Sequence, residues 1–274
     1  MDPREIEMLR LLSGYWFTQA LYVVAALGIA DRLEAGSKTT DELAHETRID
    51  RDALYRLLRG LASAGIFAEL SPRTFTQNAL SETLRANRPQ SLRQLALLGG
   101  HPLHWQAWGK LLDSVRSGEP AFVAAHGQPF FDALARDDEL LRIFHQVQSR
   151  TSGAGVTLAA GDFFAGVPGG DAYFLKFTLH DFGDRDAVRI LANCRDAMSP
   201  DGRVFVIEVV VPGGSEPSIS KTHDVNMLVL TGGRERTLPE YESLFARAGL
   251  RLLRVIALPS GPSVLEARRV ETAG

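Results

Sequence analysis

Three polar side chains accompany apolar runs in the second half of this 274-residue chain: Asp162 after 156–160, His180 after 172–177, and Glu208 inside 204–211. A histidine so placed could do acid–base work. A phenol with a pKa near 10 is a poor nucleophile at neutral pH, and an imidazole near 6.5 is suited to accept its proton as a new bond forms. A carboxylate hydrogen-bonded to the second ring nitrogen would fix the tautomer and stabilise the imidazolium. A strand-end histidine is equally able to be a satisfied structural residue, so the elements around it decide. Asp181, its neighbour, is expected to point away and cap the following helix.

Residues 156–212 have a βαβ rhythm, the signal of a parallel sheet. Runs 156–160 and 172–177 read as strands. Ala187, Ile190, Leu191, Cys194 and Met198 then recur at helical spacing until Pro200-Asp201-Gly202 breaks the helix. Run 204–211 is apolar enough to lie mid-sheet with both faces covered. Polar groups at the carboxyl ends of such strands sit where open α/β sheets bind ligands. Farther on, 224–230 reads as helix, Thr237 caps a helix carrying Tyr241, Leu244 and Phe245, and 250–258 pairs antiparallel with 263–269.

Toward the start, 11–30 is an uncharged stretch long enough to imitate a membrane span of about 20 residues. Its Ser13, Gly14, Thr18, Gln19 and Gly28, with a flank of mixed charge, argue against a span or a signal peptide. One long helix buried against a second subunit is expected instead. Thr39-Thr40-Asp41-Glu42 opens another helix, 51–64 forms the next with a leucine stripe, and 66–70 with 73–77 makes a hairpin: a winged helix. Its Arg51, Arg56 and Arg59 stand beside Asp50 and Asp52, a thin footprint for a DNA reader. Residues 91–150 read as helical, with 126–131 turning into one helix that holds Leu134, Leu140, Leu141 and Phe144. His101, His104, His126 and His145 lack the spacing of a structural metal site, so no metal is expected.

Composition limits the options. At 45% hydrophobic and 23% charged residues the chain has an ordinary globular make-up, long enough for two domains. A net charge of −3 gives no general attraction to nucleic acid or anionic membrane. The single Cys194 cannot form an internal disulfide and reads as packing in a reducing, cytoplasmic compartment.

Several blocks occur together and in order: Gly161-Asp162-Phe163-Phe164, Leu175-Lys176, Leu179-His180-Asp181, Ile207-Glu208, Asp224-Val225-Asn226-Met227-Leu228 and Gly232-Gly233-Arg234-Glu235-Arg236-Thr237. They resemble the signature blocks of the S-adenosylmethionine-dependent O-methyltransferases of small molecules, the caffeate-type family. The resemblance implies a winged-helix dimerisation domain over 1–90, linker and pocket helices over 91–150, and a Rossmann-like catalytic domain over 151–274. It implies His180 as general base flanked by Glu208 and Glu235, and Asp162, Phe163 and Lys176 on S-adenosylmethionine. Trp105, Phe131, Asn226 and Met227 would line the pocket of a small hydroxyl substrate. The partner implied is a second copy of the chain, with neither nucleic acid nor membrane.

One block is absent. A nucleoside site needs a glycine-rich turn after the first strand, where backbone N–H groups at a helix start approach the ligand. Gly153-Ala154-Gly155 precedes a strand instead of following one. The expected fold is therefore α/β, a Rossmann-like methyltransferase sheet lacking its first two βα units, about 60 residues. Three readings stay open: an ordinary O-methyltransferase whose cradle is completed by residues outside this sequence, a cofactor-free acid–base cyclase or isomerase, and a non-catalytic dimeric binding protein.

Overall fold

The computed structural model describes residues 2–148, 161–259 and 261–270. Two compact units emerge, Met1–Trp105 with Leu134–Ala154, and Gln106–Ala133 with Gly155–Gly274. The strand expected at 156–160 and the glycines at 153 and 155 lie outside the described residues.

In the first unit the uncharged stretch 11–30 is not one helix. It is shared among α1 (Pro3–Leu12), α2 (Gly14–Ala26) and α3 (Ile29–Arg32). Ser13 separates the first pair, and Gly28 turns the chain at φ 61°, a left-handed conformation that glycine adopts without a Cβ clash. In the single chain the stretch's Leu11, Leu12, Tyr15 and Trp16 are exposed. No helix among the described residues is long and apolar enough to cross a membrane. After β1 (Lys38–Thr39), α4 (Thr40–Thr47) starts at a Thr39/Glu42 capping box and α5 (Arg51–Ser63) at an Asp50 cap. Leu43, Leu54, Leu58 and Leu61 share a core with Phe67 and Phe75. Strands β2 (Ala68–Ser71) and β3 (Thr74–Thr76) join β1 in the order β1-β3-β2, completing the winged helix. The wing's Arg73 is occupied by Asp52 at 2.8 Å and by the face of Tyr55.

The middle is helical, as expected: α6 (Arg93–Gly100), α7 (Pro102–Trp108), α8 (Leu111–Ser117), α9 (Ala121–His126), α10 (Phe130–Leu134) and α11 (Asp138–Gln148). The last two replace the single helix read from the sequence. Asp137 ends one and begins the other, its Oδ1 accepting the Leu140 N–H at 2.9 Å.

The second unit holds the mixed sheet β4-β5-β7-β6, built from β4 (Gly170–Lys176), α12 (Asp184–Ala197), β5 (Met198–Glu208), α13 (Ile219–Leu230), α14 (Leu238–Arg247), β6 (Leu250–Ala257) and β7 (Ser263–Arg269). Strands β4 and β5 are parallel, and the other pairs antiparallel. The helix ends at Ala197, before the expected break at 200–202, and Met198, expected on the helical stripe, opens β5, which begins six residues before the expected start and stops three before the expected end. Nor is β5 buried on both faces. Val204, Val206 and Glu208 are buried, Val204 and Val206 in one core with residues of α12 and α14, while Phe205 and Ile207 are half-buried. On that other face Phe205 stacks at 4.8 Å on Phe174, which is 66% exposed. Among the described residues β4 has a strand neighbour on one side only.

Candidate active site

His180 is positioned by three carbonyl- and carboxylate-anchored segments. Beyond β4 the chain leaves the strand at Phe177, a non-glycine residue at φ 47°, and forms a short 3-10 turn Leu179–Asp181. Because β4 and β5 run parallel, the carboxyl end of β5 lies alongside, and its last residue, Glu208, accepts the N–H groups of Thr178 and Leu179 through Oε1, each at 2.9 Å. The loop after α13 closes from the other side. Arg234 N–H donates to the His180 carbonyl at 2.8 Å, and a Cβ on Gly233 would stand 2.0 Å from that same oxygen, so only glycine fits there. The fully buried Arg236 donates to the carbonyls of Leu179 and Phe182 and to Asp184. Its single guanidinium ties the turn to the start of α12.

Glu235, 3% exposed, sits at the tip of this loop and is the carboxylate that receives the imidazole: His180 Nδ1 is 2.9 Å from Oε1. The nearer Glu208 oxygen, Oε2, is 3.4 Å away. Burial alone would raise Glu235, but hydrogen bonds and charge from His180 and His223 hold it down to about 2, so it is ionised and can only accept. Both histidine Nδ1 atoms are thereby donors. Neutral His180 must then carry its lone pair on Nε2, the tautomer a general base requires. Burial by itself would lower His180; the Glu235 hydrogen bond and the charges of Glu208 and Asp181 outweigh it and raise the imidazole to about 9. Burial likewise pushes Glu208 up to about 7 against the pull of His180.

Asp181 corrects the sequence expectation. It does not cap α12, whose N-cap is Gly183; its Oδ1 lies 3.8 Å from His180 Nε2. The alternation assumed for a continuing strand is lost once the chain turns at Phe177, and burial raises the Asp181 carboxyl to about 6. His223 of α13 is a residue the sequence reading missed: its Nδ1 is 2.7 Å from the same Glu235 oxygen. Together His180, His223 and Glu235 offer two imidazoles and a carboxylate. Their 2.7 and 2.9 Å separations are hydrogen bonds, shorter than the roughly 3.3 Å between ligands of a tetrahedral zinc with bonds near 2.0–2.1 Å.

The remaining candidates fall into groups. Asp162 is exposed, and its Oδ1 caps a turn by accepting the Phe164 N–H at 2.9 Å. Phe163 is half-buried, its ring 5.8 Å from Phe182, which also meets Phe131 at 6.5 Å. Asn193 fixes this aromatic corner by donating to the carbonyls of Phe163 and Phe164. Lys176 lies at the end of β4 with Nζ 5.3 Å from the Phe177 ring. Asn226 accepts from Trp108 Nε1 at 3.0 Å, and Met227 is buried. Trp105 belongs to the other unit, its ring 6.1 Å from Tyr15.

Two family profiles match the chain: the O-methyltransferase dimerisation domain over residues 9–87 and the O-methyltransferase domain over 145–251. The phenazine O-methyltransferase PhzM of Lysobacter antibioticus is 34% identical, with 98% of this chain and 97% of that protein covered.

The chain belongs to the O-methyltransferase family.

Solved structures of the family agree. The crystal structure of LaPhzM superposes with a TM-score of 0.92 at 33% identity over 98% of this chain and all of that one. That of CalO1, a methyltransferase in calicheamicin biosynthesis with SAH bound, gives 0.82 at 29% over 98% of this chain and all of that one. Methyl transfer, and not the cofactor-free alternative, is the reading that these relatives support. The shortened sheet is visible in the same comparison. The PhzM alignment runs over 332 positions against a chain of 274 residues, so at least 58 positions have no counterpart here. Since 97% of the relative is spanned, most of that loss is internal. Among the described residues no strand precedes β4 in its sheet, and none carries a glycine-rich turn into a following helix.

Proposed function

We propose that this chain transfers a methyl group from S-adenosylmethionine to the hydroxyl of a small, partly apolar aromatic acceptor, with His180 as general base. The observation that carries the reading is the buried imidazole at the tip of β4 with Nδ1 fixed on Glu235 at 2.9 Å, which leaves Nε2 to receive a proton. As the acceptor oxygen forms its new bond, its proton passes to Nε2, and the ionised Glu235 stabilises the imidazolium. Glu208 has a different duty: spent on two backbone N–H groups, it holds the turn that presents the ring, and adds its field from 3.4 Å.

Phe163 offers a flat aromatic surface and Asp162 an exposed carboxylate for the adenine, and Lys176 a cation for the ribose or carboxylate end of the cofactor. When bound, the cofactor would supply an electrophilic methyl group. Phe131, Asn226 and Met227 are the acceptor-side candidates in the same unit. In this reading 1–90 is the dimerisation domain, 91–150 the connecting and pocket helices and 151–274 the catalytic domain, with two copies joined through the exposed apolar residues of α1 and α2. Calorimetry with S-adenosylmethionine is the deciding test. Micromolar binding together with methyl transfer to a phenolic panel, slowed about 10²- to 10⁴-fold by His180→Gln, is expected. No heat at millimolar cofactor refutes the proposal.

A further inference from the structure

Glu235 Oε1 is claimed twice. His180 Nδ1 approaches it at 2.9 Å and His223 Nδ1 at 2.7 Å, with the two rings 5.7 Å apart, while Oε2 is buried without a partner among the described residues. A carboxylate whose second oxygen has no donor is oriented wholly by what its first oxygen receives and by its own backbone. That backbone is also held from α13: Asp224, the residue after His223, accepts the Glu235 N–H at 2.8 Å. Side-chain exposure separates the imidazoles, at 8% for His180 and 44% for His223. Of the pair, only His180 is withdrawn from water, and His223 joins Glu235 to the solvent side of α13.

We propose that His223 is a positioning residue: by donating its Nδ1–H to the oxygen that also receives His180, it fixes Glu235 and tempers the pull of that carboxylate on the catalytic imidazole. The role in catalysis rests on the reading of His180 as the base; the coupling does not. A carboxylate shared between two donors gives less to each, and losing one strengthens the other. The groups facing His180 are Glu208 at the end of β5, Asp181 in its own turn, Glu235 in the loop before α14, and His223 on α13, with Tyr241 of α14 next to the two glutamates. Every facing acid attracts a proton to His180. Burial opposes them, and His223 does so by occupying the Glu235 oxygen that also receives His180.

Removing His223 must therefore make His180 harder to deprotonate. The test is an NMR pH titration of the free protein labelled at histidine, with the His180 resonance assigned through His180→Gln. In His223→Ala the His180 midpoint is expected to rise by about one pH unit, the scale of one lost charge-assisted hydrogen bond. In His223→Gln, where an amide donor can reach Glu235, it should return most of the way. His223→Asn, a shorter donor, stands in should the alanine variant not fold, with a rise smaller than for full loss. A midpoint that stays put in both the alanine and the asparagine variants, or that falls, overturns the proposal. No cofactor or acceptor is needed, so failure here and failure of the methyltransferase reading give different results: the first leaves His180 insensitive to His223, the second leaves cofactor unbound.

Discussion

Replacing Glu235 by glutamine removes the carboxylate whose hydrogen bond is the largest upward pull on His180, while keeping the shape of the side chain. In the native site the imidazole is raised from 6.5 to about 9, and Glu235 supplies the hydrogen bond in that rise. With a midpoint of about 9, roughly one His180 in a hundred is unprotonated at pH 7, and kcat/KM should climb about tenfold per pH unit before levelling above 9. In Glu235→Gln the limb should move down toward ordinary imidazole, to about 7, since Glu208 and Asp181 remain. The variant base is weaker and less well oriented, a loss of about 10²-fold at the alkaline plateau. Its unprotonated fraction is about fiftyfold larger at pH 7 and nearly a hundredfold larger at pH 6, where it offsets that loss. The two profiles should thus differ by about two orders of magnitude at pH 9.5 and nearly coincide at pH 6. The assay is initial-rate transfer of a labelled methyl group from S-adenosylmethionine to the best phenol of a panel, across pH 6 to 10. Parallel profiles with an unmoved limb would show that Glu235 does not set the basicity of His180, and the reasoning would fail.

Two other outcomes follow from the same structure. Gly233→Ala puts a methyl group 2.0 Å from the His180 carbonyl, so urea unfolding should show a loss of at least the 1–3 kcal/mol typical of overpacking, together with loss of the rigid His180 environment by NMR. Trp16→Glu places a charge among the exposed apolar residues of α1 and α2; light scattering should find a dimer for the native chain and a monomer for the variant at equal micromolar concentration, and a variant that stays dimeric removes this face from the interface.

Much of the second unit was legible because its periods are clean. The stripe Ala187, Ile190, Leu191 and Cys194 gives α12, and the apolar runs after Gly249 give β6 and β7. Thr237 followed three residues later by Glu240 is a capping box that fixes the start of α14. His180, Glu208 and Glu235 do meet, although they are 55 positions apart at the extremes. Local pattern could not reveal how the two carboxylates divide their work, since that depends on which oxygen meets a backbone N–H and which an imidazole. Asp181 was misread because strand alternation was extended past Phe177, whose left-handed backbone ends it. His223 left one usable trace: it lies three residues before Asn226 on α13, hence on the same helix face. The division of 11–30 hinged on Ser13 and Gly28, residues too few to disturb an apolar average.

Among the described residues one edge of the sheet is uncovered, and that edge governs how the protein behaves in a tube. The seven-residue β4 has no strand beyond it among the described residues, and its own Phe174 is two-thirds in solvent, a surface on which other chains can accrete. Concentrating the sample therefore works against keeping it dispersed. A mild nonionic detergent, or a lysine in place of Phe174, addresses that face without reaching the groups around His180.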